Sequence, residues 1–79
     1  MNSIVVKAEW DDEAQVWWAI SSDVPGLTAE AASIELLRKK LPGMIEDLNE
    51  LNNLGFDLGS VHVHIVAHSL VSLSTNQAA

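Results

Sequence analysis

The sequence predicts a two-layer α+β domain of order β-β-β-α-β, an antiparallel sheet with a single helix on one of its faces. Three observations predict it. Ile4–Trp10 and Val16–Ser21 alternate as strands around a polar turn. Ser33 opens a stretch in which Ile34, Leu37, Leu41, Met44, Leu48 and Leu51 recur at three- and four-residue spacing. Ser60–Leu73 then returns to strand-forming residues with apolar side chains of both parities.

In the first strand Ile4, Val6, Ala8 and Trp10 share one face, and Val5, Lys7 and Glu9 the other. Asp11-Asp12-Glu13-Ala14-Gln15 reads as a hairpin loop. In the second strand Val16, Trp18 and Ile20 share a parity. Placing Trp10 opposite Val16 sets Ala8 against Trp18 and Val6 against Ile20, so that the even positions of both strands make one apolar face. A slip of one residue would invert every side chain of the pair. Ser21-Ser22-Asp23-Val24-Pro25-Gly26 is turn chemistry: proline fixes φ and glycine tolerates positive φ beside it. Leu27–Ala31 follows as a short third strand.

Ser33 suits a helix N-cap, since its hydroxyl can accept a first-turn N–H. Pro42-Gly43 interrupts the apolar stripe, and a proline inside a helix removes one hydrogen bond. The stripe keeps phase across the break, which favours one kinked helix over two helices with Pro42 in the first turn of the second. Gly55 is the expected C-terminal stop, with Phe56 folding back on Leu51. In the last strand Val61, Val63, Ile65 and Ala67 share one parity, and His62, His64, Val66, His68 and Leu70 the other. One domain over 1–73 and a flexible tail over 74–79 complete the expected organisation.

Composition bounds the function. Of 79 residues 48% are hydrophobic, and none is cysteine, so neither disulfides nor thiolate metal sites can support so small a core. The surplus apolar surface points to self-association as a homodimer or larger oligomer. Four Lys+Arg stand against eleven Asp+Glu, a net charge of −7, which repels nucleic-acid phosphates and suits a basic protein partner. The start lacks a basic segment followed by a long apolar run, and no stretch matches a membrane span, so a cytoplasmic location is expected.

Several residues resemble a known superfamily. Val6-Lys7-Ala8-Glu9-Trp10-Asp11-Asp12-Glu13-Ala14, the pair Val16-Trp17, the Ser22–Leu27 exit and the helix Leu37–Leu51 together resemble HicB-like antitoxins. They are most similar to a small family of unknown function within that superfamily. The resemblance implies a partial ribonuclease-H-like β-β-β-α-β domain without the nuclease's acidic centre. It implies a non-enzymatic protein-interaction role like that of the HicB N-terminal domain, which binds small basic HicA-type toxins. HicB proteins often add a C-terminal DNA-binding domain. The short tail after Leu73 does not resemble one, so direct DNA binding is not expected.

Two constellations invite chemistry. His62 and His64 project from one strand face about 7 Å apart, and two imidazoles can share a zinc ion. Structural zinc takes four protein ligands and catalytic zinc usually three, while His68 lies about 13 Å beyond His64. A metal or small-ligand site on His62 and His64 is therefore the alternative reading, and no cofactor is expected. Asp11-Asp12-Glu13 offers adjacent carboxylates, but catalytic carboxylates need set separations and contrasting environments. They read as solvated turn residues, and no catalytic residue is assigned.

By the parity above, Trp17 leaves the helix-covered face. Val5 and Ala19 lie beside it, and His62, His64, Val66 and His68 join it if Val61, Val63 and Ile65 face the helix. These seven are the expected interface residues, with Trp17 as the anchor.

Overall fold

The structure, a computed structural model, describes residues 3–69. Strands β1 (Ser3–Asp11), β2 (Val16–Ile20) and β3 (Thr28–Ala31) precede one helix, α1 (Ile34–Asn52), and strand β4 (His62–His68) follows it. The expected α+β class and element order are present. Spatial order in the sheet is β3-β2-β1-β4. β1–β2 and β2–β3 pair antiparallel, whereas β4 pairs parallel to β1, so the sheet is mixed rather than wholly antiparallel. A helix of this length carries the chain back about 28 Å. β4 therefore starts at the same end of the sheet as β1 and runs with it. The expected strand extends to Leu73; its residues from Leu70 onward, and the expected tail, lie outside the described residues.

The hairpin register differs from the expected one by a single residue. Trp10 pairs with Trp17, Ala8 with Ala19 and Lys7 with Ile20. Asp11 remains in the strand, opposite Val16, and its Oδ1 accepts the N–H groups of Glu13 (3.1 Å) and Ala14 (3.2 Å). Gln15 closes the loop at φ 58°, and its Nε2 donates to the Asp12 carbonyl. A four-residue loop thus replaces the five-residue one, which moves every β2 side chain to the opposite face. Trp17 and Ala19 belong under the helix, and Trp18 and Ile20 on the far side.

Packing explains the outcome. Ala8, Ala19 and Ala29 lie side by side across β1, β2 and β3 on the helix-facing side. This row of small side chains leaves room for α1, where Trp18 and Ile20 would hold it off the sheet. Ile4, Val6, Ala8, Ala19, Val24, Leu27, Ala29, Leu37, Leu41 and Ile45 form the buried core, with Trp17, Ile34, Met44 and Leu48 packed at its edge. Burying one such aliphatic side chain stabilises by about 1.5–3 kcal/mol.

The exit from β2 is pinned to β1. Asp23 Oδ2 accepts the Val5 N–H at 2.8 Å, and Ser21 Oγ donates to the Val5 carbonyl at 2.7 Å. Leu27 N donates to the Val24 carbonyl across Pro25-Gly26, and Gly26 has φ 85°. That is a type II turn, with proline at its second position and the positive φ at its third. Val24 and Leu27 can then both enter the core.

Ser33 caps α1 as expected, accepting the Leu36 N–H at 3.1 Å. The helix runs through Pro42 as one element. Pro42 lacks the N–H that the Arg38 carbonyl would receive, and both residues lie on the exposed side, where water can serve. Leu37, Leu41 and Ile45 carry the burial. Leu51, expected in the stripe, is 77% exposed in the last turn, where none of the described residues covers it. The helix stops at Asn53 (φ 49°) rather than at Gly55. Phe56 does not fold onto Leu51. The Asn49 side chain clasps it instead, accepting its N–H at 3.0 Å and donating to its carbonyl at 3.2 Å.

Candidate functional site

The face of the sheet away from α1 is the surface on which the expected interface residues can be judged. Successive side chains of a strand alternate faces, so the register places Val5, Lys7 and Glu9 of β1 on this open face. Beside them stand His64, Val66 and His68 of β4, in that order, with His62 next to Ser3. On the other flank Trp18 stands next to Glu9 and Glu30, and Ile20 next to Lys7 and Thr28. Val5 is 39%, Ile20 42% and Val66 53% exposed.

Five of the seven expected residues therefore meet on one surface: Val5, His62, His64, Val66 and His68. The other two do not. Trp17 sits on the helix-covered face, half-buried, its ring centroid 5.5 Å from that of Trp10 at an interplanar angle of 59°. Ala19 is part of the buried core. The one-residue change of register removes both, and it brings in Trp18 and Ile20, which hydrophobicity alone assigns to the core. Ala8 and Ala19 carry a usable signal, since a helix packed closely on a sheet favours small residues beneath it.

An open groove of about 580 Å³ runs beside Trp18 and Ile20, lined also by Asp11, Thr28 and Glu30. An indole flanked by an isoleucine and two carboxylates suits a contact with both an apolar and a cationic part. A second depression of about 520 Å³ lies among Glu9, Trp10, Asp12 and His68.

Two of the three hairpin carboxylates, Asp11 and Asp12, already have partners. Asp11 holds the loop backbone, and Asp12 Oδ1 accepts from Trp10 Nε1 at 3.2 Å and from Gln15 Nε2 at 3.3 Å. They order the turn and position Trp10. His62 and His64 share the open face as their spacing required. Among the described residues no group of three or more His, Cys, Asp or Glu is placed to hold a metal ion. No helix among them is long and apolar enough to cross a membrane.

Comparison with known proteins agrees with this architecture. A solved structure of a hypothetical protein from the extremely thermophilic bacterium Thermus thermophilus is similar, with 38% sequence identity and a TM-score of 0.70. The match covers 92% of this chain and 99% of that one. No curated protein matches the chain. The family model for DUF1902, a domain of unknown function, matches residues 3–74, and with that span the chain belongs to the DUF1902 family.

Proposed function

We infer that the chain is a non-enzymatic protein-interaction domain that works through its open sheet face, in the manner of the HicB antitoxin N-terminal domain. The observation that carries this reading is the open face itself. Val5, Ile20 and Val66 stand exposed on the face that also carries Trp18, in a molecule of net charge −7. Apolar anchors within an acidic surround match a small basic protein, because charge steers the encounter and aromatic burial holds it. A HicA-type toxin has that chemistry, and the sequence resemblance to HicB-like proteins adds to the case. The surplus of exposed apolar side chains also favours self-association. A cytoplasmic location fits such a partner.

The test is binding of the purified chain to a small basic protein encoded next to it, followed by calorimetry at two salt concentrations. Affinity should fall as salt rises, and Trp18→Ala should weaken it by about tenfold, as expected for an aromatic anchor. Absence of binding, or binding untouched by Trp18→Ala, would count against the open face.

A second reading places a metal or small ligand on His62 and His64, supported by their shared face. It needs a further ligand from another molecule. Zinc titration of the chelator-treated protein decides it: less than one tight zinc per two chains would set it aside.

A further inference from the structure

β4 is an edge strand, and among the described residues nothing guards its edge. Its inner side pairs with β1, and among the described residues nothing pairs with its outer side. The backbone groups that point outward can be identified from Val5. Its N–H donates to Asp23 and its C=O accepts from Ser21, both on the β2 side. Backbone groups of successive strand residues point to alternate sides, so Ile4, Val6 and Ala8 direct theirs at β4. In a parallel ladder each bonds the residues flanking its register partner. Val6, registered with Ile65, thus bonds His64 and Val66. The N–H and C=O groups of Val63, Ile65 and Ala67 are left facing outward.

Exposed edges attract further strands, and proteins usually guard them with lysine, proline or a bulge. His62-Val63-His64-Ile65-Val66-Ala67-His68 contains no Lys, Arg, Asp, Glu or Pro. None of the chain's four Lys+Arg or eleven Asp+Glu lies beyond Asp57. Two copies at net charge −7 repel over most of their surfaces, and this strand, free of carboxylates, is where they can approach at least cost.

The strand also complements itself. Antiparallel pairing sets outward-pointing residues opposite one another, so Val63, Ile65 and Ala67 must pair among themselves. All seven residues overlap only when the twofold axis passes through Ile65. Ile65 then meets Ile65 of the second copy, Val63 meets Ala67, His64 meets Val66 and His62 meets His68. Residues of one parity meet the same parity, which keeps both helices on one side of the sheet. The helix cover thins from β1 to β4: Ile4, Val6 and Ala8 are fully buried, Ile65 is half-buried against the core, and Val63 is 37% exposed. A second copy would fill that margin.

We propose that two copies of this chain join their β4 edges antiparallel about Ile65, forming one continuous sheet twice as wide. The proposal rests on the self-association part of the preceding reading and adds its site and register. It is independent of any toxin binding.

The absence of cysteine makes the test direct. His62 and the second copy's His68 would form a non-hydrogen-bonded pair with Cα atoms about 4.5 Å apart, close enough for a disulfide. Within one chain the two positions lie about 20 Å apart along the strand. The full-length double variant His62→Cys, His68→Cys should give a covalent dimer on mild oxidation, and neither single variant should. Val66→Lys, at an exposed position, should weaken association by about tenfold through its contact with His64, repeated across the axis, and leave the circular dichroism unchanged. A dimer by light scattering that shows no such cross-linking selectivity and tolerates Val66→Lys would overturn the β4 register and leave self-association standing. A monomer at micromolar concentration would overturn both. Slow amide exchange at Val63, Ile65 and Ala67 in a monomer would show that the same chain covers its own edge, and would overturn both as well.

Discussion

Trp17 and Trp18 are adjacent in sequence and opposite in role. Trp17 packs beside Trp10 at the rim of the core, and Trp18 stands on the open face between Glu9 and Glu30. Trp17→Ala should destabilise the fold by about 2–4 kcal/mol, somewhat below the ~3–5 kcal/mol of a core aromatic because Trp17 is only half-buried. Trp18→Ala should change stability by less than about 1 kcal/mol and act on binding of the basic partner instead. Urea denaturation of the two variants separates these roles, and equal destabilisation would undo the register. Gly26 is the other residue under a specific constraint. At φ 85° it forms the third position of the Val24–Leu27 turn, so Gly26→Ala should cost about 1 kcal/mol even though the added methyl would meet Leu48 Cδ2 only at an ordinary contact of 3.8 Å. The same denaturation curve reports it.

Among the elements, α1 and the hairpin show what is legible in the sequence and what is not. The Ser33 cap, the stripe through Leu37 and Leu41 and the continuity across Pro42 all follow from local rules, and the structure contains each of them. The helix stops short of Gly55 because Asn53 can adopt the left-handed conformation that Gly55 also offers, and Asn comes first in the chain. The hairpin register is hidden for a different reason. Hydrophobicity favours Val16, Trp18 and Ile20 as the buried set, but the decisive property is size. The alanine row Ala8, Ala19, Ala29 admits the helix, and Asp11 shortens the loop by bonding its backbone. Packing against another element is not a periodic signal within one strand. The candidate surface is therefore half legible: β4 and Val5 fall on the open face as their parity implies, whereas the β2 contribution is inverted. Pro42 gives a further test at this scale. Pro42→Ala restores a donor to the Arg38 carbonyl, and should stabilise the fold by about 1–3 kcal/mol, read as a raised melting temperature.

At the scale of the whole molecule, the chain combines a small buried core with exposed apolar side chains: Val5, Ile20 and Val66 on one sheet face, Val63 at one sheet edge, and Leu36, Leu51 and Leu58 away from the sheet. A core built from so few large side chains leaves a narrow stability margin, and Leu41→Ala, which opens a cavity beneath α1, should cost about 2–5 kcal/mol and approach global unfolding. Association through β4 would add to that margin by mass action, so the melting temperature should rise with protein concentration. The acidic surface limits where copies can meet, and the strand after Asp57, which has no carboxylate, is where they can. The most direct measurement is multi-angle light scattering on the full chain at micromolar concentration, beside Val66→Lys. The expected result is a mass twice the 8.6 kDa of one chain for the parent and a shift toward a single chain for the variant. A parent that elutes as a single chain, or a variant as dimeric as the parent, would contradict it.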